Sequence, residues 1–299
     1  MKKVFITGGL GFLGSHIKEA AQKKDLEVVV YDSGVLPAQK EERVTYVQGD
    51  ICDLDSMQKA LRGCDTFFHT AAIADIGETR TRPIETMHVN ITGTANCLLA
   101  SHNAGVKHFI FTSSAYAVSN LGSFYGVSKS ASENLCKTFN EEYGLPFTVV
   151  RYGSLYGRRA TKSNFIRQLC EAVIRGKTFK YYGTGEELRE YLHVEDAARE
   201  TLNIPIAEEY KNKTVFITGH QRMYIKDLFD ITGEIVGKKI NIDCLAKDDH
   251  RHYKSTPWSF HPDIPIRINM KHYIDINEGI HSYLQDLHEK INEESGGSK

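Results

Sequence analysis

The feature that most constrains the fold of this chain is a glycine-rich turn close to its N-terminus. The apolar run Lys3–Ile6, typical of a buried strand, leads into glycines that recur every three residues, and a helical pattern follows. In a strand–turn–helix unit such glycines allow a tight turn, the close approach of a pyrophosphate and the packing of helix on strand. The phosphates would lie at the helix N-terminus, where free N–H groups and the helix dipole favour negative charge. We therefore predict a dinucleotide-binding turn formed by Gly8, Gly11, Phe12, Leu13 and Gly14.

Strand-like and helix-like patterns alternate through the first half of the chain. Apolar runs typical of strands buried on both faces are found at Lys3–Thr7, Glu27–Tyr31, Val44–Gln48, Thr66–Ala71, His108–Thr112 and Phe147–Tyr152, and later at Thr214–Thr218. Helical patterns separate them at Phe12–Lys24, Leu54–Leu61, Pro83–Asn103 and Phe124–Tyr143. This alternation predicts the α/β class, with a doubly wound parallel sheet of the Rossmann type.

The patterns become less regular after about residue 152, which predicts a second and smaller domain. Helices are expected at Asn164–Arg175, Val194–Glu209, Lys226–Val236 and Glu278–Ile291, with a short strand at Phe179–Tyr182. We predict a dinucleotide-binding domain from residues 1–153 and about 190–220, and a discontinuous C-terminal substrate domain from about 154–189 and 221–292. Residues 247–268 are expected to be irregular, and the polar residues 293–299 a disordered tail.

Composition and charge exclude several classes of partner. The 299 residues carry 37 lysines and arginines against 38 aspartates and glutamates, with no basic stripe, so we expect neither nucleic acid nor a membrane surface as a partner. No apolar run approaches the ~20 residues of a membrane span. Because a strand pattern begins at Lys3, we expect no signal peptide. Six scattered cysteines without a Cys-x-x-Cys pair indicate reduced thiols and a cytoplasmic location.

The spacing of His250, His252 and His261 fits no closed zinc pattern, so we expect no metal site.

Residues at the ends of the next strands complete the predicted cofactor site. Asp32 ends the second strand, where a carboxylate binds the ribose hydroxyls of NAD and would repel the 2′-phosphate of NADP. No arginine replaces it nearby, so we predict NAD as the cofactor. Further candidates are Asp50 and Ile51, which end the third strand beside the adenine, and the small residues Thr70, Ala71 and Ala72, which end the fourth. Taken alone, these last two groups are equally compatible with ordinary strand ends.

A tyrosine and a lysine lie four residues apart on a predicted helix, at Tyr125 and Lys129, and therefore share one face. Free tyrosine has a pKa of ~10, too high for a base at neutral pH. An ammonium ~4 Å away stabilises the phenolate by ~4 kcal/mol at an effective dielectric constant of about 20, which lowers that pKa by about three units. Ser114, just after the fifth strand, is placed to bond the same substrate oxygen. Such a pair also arises by chance, but after a dinucleotide-binding fold it predicts a catalytic group for hydride chemistry at an alcohol carbon.

These and further motifs resemble those of the extended short-chain dehydrogenase/reductases, in the NAD-dependent nucleotide-sugar epimerase and dehydratase group typified by UDP-glucose 4-epimerase. The resemblance covers the chain to about residue 220. Besides the glycine turn, the motifs are Phe-His-Thr-Ala-Ala at 68–72, Asn90-x-x-Gly-Thr-x-Asn96, Phe-Thr-Ser-Ser-Ala at 111–115, Tyr-Gly-x-Ser-Lys at 125–129, Arg151-Tyr-Gly153, Tyr156-Gly157 and Arg189-Glu-Tyr-Leu-His-Val-Glu-Asp196.

The resemblance implies roles for individual residues. It implies catalysis by Ser114, Tyr125 and Lys129, contacts of Asp32, Asp50 and Ile51 with the adenosine half of NAD, and a place for Asn90 in the cofactor site. The implied substrate-binding residues are Ser114, Tyr125, Ser154, Asn164 and Arg189, the last two at the diphosphate of a nucleotide sugar. A guanidinium pairs well with phosphate, although Arg189 could instead be solvated or paired with Glu190. The resemblance also implies a homodimer in which Pro83–Asn103 and Phe124–Tyr143 form a four-helix bundle.

Three departures from the family pattern bear on the reaction. Residue 154 is serine where the family usually has asparagine, and the connection from Ser114 to Tyr125 is shorter than usual. Ala115 follows Ser114, where 4,6-dehydratases place an acidic pair and decarboxylases a glutamate, and elimination needs such an acid and base. We therefore expect a nucleotide-sugar 4-epimerase, which oxidises C4 transiently and returns the hydride to the other face. The alternatives are a C4 dehydrogenase or ketoreductase with net redox change, and a non-catalytic dinucleotide-binding relative.

Overall fold

The structure is a computed structural model that describes residues 1–119, 121–245, 266–268 and 270–296. The chain divides into two compact units. The first comprises Met1–Tyr152 and Ala197–Ile217 together with residues 266–268, and the second comprises Gly153–Asp196 with residues 218–245 and 270–296. The chain re-enters the first unit at Ala197, later than the sequence patterns predict.

The described residues form short strands throughout the chain. They are β1 (Lys3–Thr7), β2 (Glu27–Asp32), β3 (Val44–Gln48), β4 (Thr66–His69), β5 (His108–Ser114), β6 (Phe147–Tyr152), β7 (Ser154–Tyr156), β8 (Phe179–Tyr181), β9 (Leu188–His193), β10 (Lys213–Ile217), β11 (Arg222–Tyr224), β12 (Ile242–Cys244) and β13 (Ile266–Arg267).

Helices connect most of these strands. The α-helices are α1 (Phe12–Gln22), α2 (Leu54–Ala60), α3 (Ile76–Thr81), α4 (Pro83–Met87), α5 (Gly93–Asn103), α6 (Ser123–Tyr143), α7 (Phe165–Ile174), α8 (Val194–Asn203), α9 (Ile225–Val236) and α10 (Ile276–Gly296). A π-helical turn, His88–Thr92, joins α4 to α5, so that the predicted helix Pro83–Asn103 is continuous but contains a bulge. Short 3₁₀ turns occur at Ala115–Val118, Ile204–Ile206 and Glu208–Tyr210.

A parallel sheet organises the first unit and confirms the predicted fold class. Its strands lie in the order β13-β10-β6-β5-β4-β1-β2-β3, and each neighbouring pair is parallel. The order reverses at β1, which lies between β2 and β4. In open α/β sheets a ligand binds outside the carboxyl ends of the strands at such a switch point. The predicted glycine turn and strand-end residues all follow those carboxyl ends.

Apolar strands pack tightly because helices cover the sheet. Phe5, Phe67 and Phe109 lie on adjacent strands and are fully buried. The ring centroid of Phe67 is 4.9 Å from that of Phe5 and 5.0 Å from that of Phe109. Aromatic pairs in such tilted contacts contribute about 0.5–1.5 kcal/mol each beyond their burial. This packed layer gives the strand ends above it a rigid base.

The described residues of the second unit form smaller sheets and the helices α7, α9 and α10. Strands β7 and β9 are parallel, β9 and β11 antiparallel, and β8 pairs with β12. Its core includes an aromatic group in which Phe229 of α9 lies 6.3 Å from Phe165 and 5.6 Å from Tyr181, centroid to centroid. The phenylalanine at the start of α7 thus anchors that helix on strand β8.

The sequence patterns did not predict strands β7, β9, β11, β12 and β13 or helix α3. Strand β9 is the clearest case, because it contains the fully buried Glu190 between Arg189 and Tyr191 and lacks an apolar run. Residues 293–296 of the predicted tail continue α10, and residues 297–299 lie outside the described part. Most of the predicted irregular segment 247–268, with the histidines considered for a metal, also lies outside it. Among the described residues, no helix has both the length and the apolar character needed to cross a membrane.

Candidate active site

The glycine turn between β1 and α1 is shaped by close backbone contacts. Gly8 has a φ of +67°, and a β-carbon there would lie 2.7 Å from the backbone nitrogen of Ala71. A β-carbon on Gly14 would lie 2.2 Å from the carbonyl oxygen of Gly8 and 2.6 Å from Thr70 Oγ1. Gly11 differs, because it is exposed and caps the N-terminus of α1. Gly8 and Gly14 therefore allow helix α1 to approach the sheet, while Gly11 leaves the helix N-terminus open.

The carboxylate of Asp32 is held in place at the end of β2 by two backbone groups. Its Oδ2 accepts the N–H of Leu10 from the glycine turn, and its Oδ1 accepts the N–H of Gly34, both at 2.9 Å. Each carboxylate oxygen has a further lone pair. The half-buried side chain is thus fixed beside the turn and still able to accept hydrogen bonds from a ribose.

The ends of β3 and β4 lie on either side of this region. Thr70 donates through Oγ1 to the carbonyl oxygen of Thr7 at 2.6 Å, which ties β4 to the start of the glycine turn. Ala71 and Ala72 follow it and present little bulk. Asp50 is exposed, whereas the side chain of Ile51 is buried in the core. A contact of Ile51 with a cofactor would therefore use its backbone.

Asn90 lies in the π-helical turn and is 3% exposed. Its Oδ1 accepts the N–H of Ile73 at 2.8 Å, and its Nδ2 donates to the carbonyl oxygen of Ile73 at 2.9 Å and to Ser128 Oγ at 3.0 Å. The hydroxyl of Ser128 donates in turn to the carbonyl oxygen of Tyr125 at 2.8 Å. The Asn90 amide thus joins the segment after Ala72 to helix α6, and both of its N–H groups are occupied. Its place in the cofactor site stays a prediction.

Ser114 and Tyr125 both contact Tyr116, a residue that the sequence patterns did not indicate. Ser114 ends β5 and is 9% exposed, and its Oγ accepts the N–H of Tyr116 at 3.2 Å. The Tyr116 ring meets the Tyr125 ring nearly edge-on, at 6.4 Å between centroids and 70°. It also covers Gly122, where a β-carbon would lie 2.7 Å from Tyr116 Cδ1. The short connection that follows Ser114 is therefore folded around Tyr116, whose position two residues after Ser114 was the available signal.

Lys129 lies beneath Tyr125 on α6 and is 5% exposed. Its Nζ donates to the carbonyl oxygen of Thr112 at 2.7 Å and lies 5.7 Å from the centroid of the Tyr125 ring and 4.8 Å from that of Phe111. Burial lowers the pKa of Lys129 to about 8, against the opposing effect of the Glu133 carboxylate. The ammonium is thus aligned under the phenol, with a proton that is held less tightly than in a solvated lysine.

A buried ion pair lies one helical turn beyond Lys129. The carboxylate of Glu133 accepts Arg151 Nε at 2.9 Å, Arg151 Nη2 at 2.6 Å and the hydroxyl of Ser113 at 2.5 Å. Both charged side chains are 5% exposed. This pair was not apparent from the sequence patterns, although Glu133 continues the four-residue spacing of Tyr125 and Lys129.

The remaining predicted substrate residues lie in the second unit. Ser154 begins β7 and is aligned with Tyr191 in β9, the strand that also carries Arg189. Asn164 caps helix α7 by accepting the N–H of Arg167 at 3.2 Å, and its Nδ2 donates to the carbonyl oxygen of Leu155 at 2.8 Å. Within this unit the three residues therefore gather around β7 and β9.

Arg189 and the adjacent Glu190 do not pair with each other in strand β9. Arg189 and Glu190 are consecutive residues of a strand, so their side chains leave on opposite faces. The Glu190 carboxylate, 1% exposed, accepts Arg222 Nε of β11 at 2.8 Å. Arg189 is half-buried, and its Nη1 donates to the carbonyl oxygen of Leu188 at 3.2 Å. The buried Glu190 carboxylate therefore forms an ion pair with Arg222, and the guanidinium of Arg189 lies on the other face of the strand.

The parallel sheet, its switch point and the glycine turn define a dinucleotide-dependent enzyme of the extended short-chain dehydrogenase/reductase type. The chain belongs to the NAD dependent epimerase/dehydratase family, whose sequence profile matches residues 4–212. It is similar to the putative UDP-glucose 4-epimerase of Methanocaldococcus jannaschii, with 25% identity over 78% of this chain and 82% of that protein.

Two further similarities concern one relative by sequence and one solved structure. The UDP-N-acetyl-alpha-D-glucosaminuronate decarboxylase of Bacillus cytotoxicus is 32% identical over 67% of this chain and 70% of its own length. Among solved structures, the UDP-N-acetylglucosamine 4-epimerase from Methanobrevibacter ruminantium M1, in complex with UDP-N-acetylmuramic acid, superposes with a TM-score of 0.83. It is 24% identical and the match covers 97% of this chain and 99% of that one, which supports the fold.

The residues at the switch point fit NAD, the cofactor of this family. The N-terminus of α1 is open at Gly11, where a β-carbon would approach the carbonyl oxygen of Gly8 at 3.1 Å and fill part of the turn. Free N–H groups of a first helical turn favour a pyrophosphate. Asp32 supplies the anionic acceptor that suits ribose hydroxyls and opposes a 2′-phosphate. These features suit the pyrophosphate and the adenosine ribose of NAD.

Proposed function

We propose that this protein is an NAD-dependent nucleotide-sugar 4-epimerase. The observation that carries the proposal is the set of contacts at the end of β5, where Tyr116 contacts both Ser114 and Tyr125 and Lys129 donates to the carbonyl oxygen of Thr112. The residues that follow Ser114 are alanine and tyrosine, so no carboxylate stands there. The site therefore has a base for an alcohol, but lacks at that position the second acid–base group that elimination from a sugar requires.

The glycine turn and Asp32 would hold NAD, which would supply reversible hydride transfer at C4 of the sugar. Tyr125 acts as the base that removes the proton of the C4 hydroxyl, and it gives the proton back when the carbonyl is reduced. The nearby ammonium of Lys129 favours the phenolate, since opposite charges a few ångströms apart attract strongly where water is excluded. Ser114 donates a hydrogen bond to the same substrate oxygen and fixes its direction. Because each group returns to its starting protonation state, the cycle needs no external acid or base.

The second unit offers residues for the nucleotide part of the substrate. We propose that Arg189 binds the diphosphate, since a guanidinium forms paired hydrogen bonds with phosphate. Asn164 and Ser154 lie around the same strands, β7 and β9, and are proposed to contact the diphosphate and the sugar. The relatives named above act on UDP-sugars by their names, which favours a uridine nucleotide here.

The proposal includes a homodimer formed through α4, α5 and α6. Apolar side chains are exposed on two of these helices: Ile84 is 81% exposed, Val127 60% and Phe124 41%. Exposed apolar groups of this kind on adjacent helices favour burial against a second copy. Sedimentation equilibrium of the protein, compared with an Ile84→Glu variant, tests this: the variant is expected to be monomeric.

The same site would also serve a C4 dehydrogenase or ketoreductase, since the first half-reaction is identical. The two differ in whether the reduced cofactor and the keto sugar leave the enzyme. A non-catalytic relative is the third candidate, and it would tolerate the loss of Tyr125.

One experiment separates these functions. The purified protein is incubated with NAD and UDP-, dTDP-, GDP- or CDP-sugars while reduced nicotinamide absorbance and the proton NMR spectrum of the sugar are followed. A new sugar diastereomer without net NADH is the expected result, and net NADH with a keto sugar would establish the dehydrogenase instead. Tyr125→Phe should abolish turnover, whereas Tyr143→Phe, at the exposed end of the same helix, is the matched control. Unchanged turnover in Tyr125→Phe contradicts the assigned base.

A further inference from the structure

A buried acid behind the catalytic group has no role in the reaction described above. Glu133 lies on α6 four residues after Lys129 and is 4% exposed. Ionised carboxylates are rarely buried, because they lose the stabilisation of water and need paired partners to offset that loss. Such a group immediately beside a catalytic lysine therefore calls for a functional explanation.

The partners of Glu133 belong to the two strands beneath the helix. Ser113 of β5 and Arg151 of β6 are aligned in the sheet, and both donate to the carboxylate, Ser113 at 2.5 Å and Arg151 at 2.9 and 2.6 Å. Ser113 directly precedes Ser114. A displacement of Glu133 would therefore shift the strand that carries Ser114 relative to the helix that carries Tyr125.

The Glu133 carboxylate also affects the charge of Lys129. The titratable groups that face Lys129, among the described residues, are Tyr125, Glu133 and Cys136 on α6 and His69 on β4, with Arg151 of β6 behind Glu133. Burial raises the pKa of Cys136 well above its usual range and lowers the pKa of His69 to about 3, so both are neutral near pH 7. Glu133 is therefore the carboxylate that acts on Lys129, and it raises the pKa of the lysine against the effect of burial.

We propose that Glu133 is a positioning residue of the catalytic group, whose carboxylate keeps the Lys129 ammonium charged and holds Ser114 in register with Tyr125. The proposal rests on the proposed function for its catalytic consequence, but the charge of Lys129 is measurable without substrate. If the carboxylate is replaced by an amide, Lys129 loses the nearby negative charge that favours its protonated form, while the cation of Arg151 remains behind residue 133. It should then lose its proton at lower pH.

The first test is an NMR titration of Lys129 in the full-length protein without substrate. Protein labelled with ¹³C-lysine is titrated from pH 6 to 11, and the Lys129 Cε signal is identified by its absence in Lys129→Met. In Glu133→Gln the midpoint is expected about one pH unit or more below that of the wild type, since a unit charge nearby shifts a buried group by this order. Glu133→Asp, which keeps the charge, should stay close to the wild type. Equal midpoints in wild type and Glu133→Gln overturn the proposal.

Two controls keep the test independent of folding. If Glu133→Gln does not fold because Arg151 is left unpaired, Glu133→Gln/Arg151→Met removes both charges, and a smaller downward shift is expected. An unshifted midpoint in that double variant also overturns the proposal. Ser113→Ala removes a hydrogen bond but no charge, so it should leave the Lys129 midpoint unchanged.

The catalytic consequence is read from the pH dependence of kcat. The alkaline loss of turnover should move to lower pH in Glu133→Gln by the shift that NMR records, with KM little changed, and Glu133→Asp should restore it. A drop in activity at all pH values without such movement means that Glu133 is only structural. If the wild type itself turns over no nucleotide sugar, the proposed function fails, while the NMR titration still decides whether Glu133 keeps Lys129 charged.

Discussion

The ammonium of Lys129 donates a hydrogen bond of 2.7 Å to the carbonyl oxygen of Thr112. This bond anchors the lysine to the strand that ends in Ser114, two residues further on, so the cation and the serine are positioned by the same segment of β5. The centroid of the Tyr125 ring lies 5.7 Å from Lys129 Nζ, whose position is fixed by this bond. Geometry at one strand end thus positions all three proposed catalytic groups.

Turnover should fall as Lys129 loses its proton. Burial lowers the pKa of Lys129 to about 8, and the charged form is the one that favours the Tyr125 phenolate, so activity is lost as the pH rises through that value. Lys129→Met should lower kcat by about 100-fold or more at pH 7, the usual contribution of a proton-transfer group. Stopped-time assays of sugar conversion across pH 6–10 provide the measurement. A Lys129→Met enzyme that keeps wild-type kcat would contradict the assignment.

Gly14→Ala should weaken NAD binding by about tenfold or more, because helix α1 must move away from the sheet. A β-carbon on Gly14 would lie 2.2 Å from the carbonyl oxygen of Gly8, a contact that backbone movement alone relieves. The first turn of α1, which would face the pyrophosphate, moves with it. Calorimetric titration with NAD measures the effect. Gly63→Asn is the matched control, since Gly63 has a φ of +76° and open space around its Cα. Similar NAD affinity in both variants would rule out this role of Gly14.

Much of the first unit was predictable because its signals are local. The apolar runs of β1 to β6 and β10 are buried on both faces, so composition alone marks them, and the glycines of the turn lie at fixed offsets from the strand. Glu133 and Arg151 could not be found in this way, since a charged residue on a helix is ordinarily at the surface. Their burial depends on Ser113 and Arg151 being brought opposite each other by strand register, which no short motif encodes. Tyr116 was missed for a related reason: its contact with Tyr125 depends on how a short connection folds.

Tyr116→Ala should lower kcat/KM by about three- to tenfold, the usual contribution of an aromatic contact. The ring packs against Tyr125 at 6.4 Å between centroids and covers Gly122, so its removal leaves the base less firmly held. Tyr116→Phe keeps the ring and should stay within about twofold of wild type by the same reasoning. Steady-state kinetics with the sugar identified in the substrate panel measures kcat/KM of both variants. Equal losses in both variants would show that the hydroxyl, rather than the packing, is the important group.

Acid should unfold the protein partly through His69. This histidine lies beneath the switch point with Nδ1 2.7 Å from Thr7 Oγ1 and Nε2 2.9 Å from Thr94 Oγ1, and it is 1% exposed. Burial, and to a smaller extent the Lys129 charge, lowers the pKa of His69 from 6.5 to about 3. The unfolded chain therefore binds a proton that the folded protein resists, so the stabilising contribution is complete above pH 6.5 and is lost as the pH falls toward 3. His69→Asn should reduce the pH dependence of the unfolding free energy across this interval.

Urea denaturation followed by fluorescence at pH 7, 5.5 and 4.5 measures this dependence. The His69→Asn protein should be less stable at pH 7, because a buried hydrogen-bonded side chain is replaced, but should lose less of its remaining stability on acidification. His102→Asn is the control, since His102 is exposed at the end of α5 and contacts the Tyr143 ring at 5.0 Å. Its pH dependence should match that of the wild type. Parallel curves for wild type and His69→Asn would mean that other buried groups dominate acid unfolding, and that the neutral imidazole beneath the switch point contributes little to it.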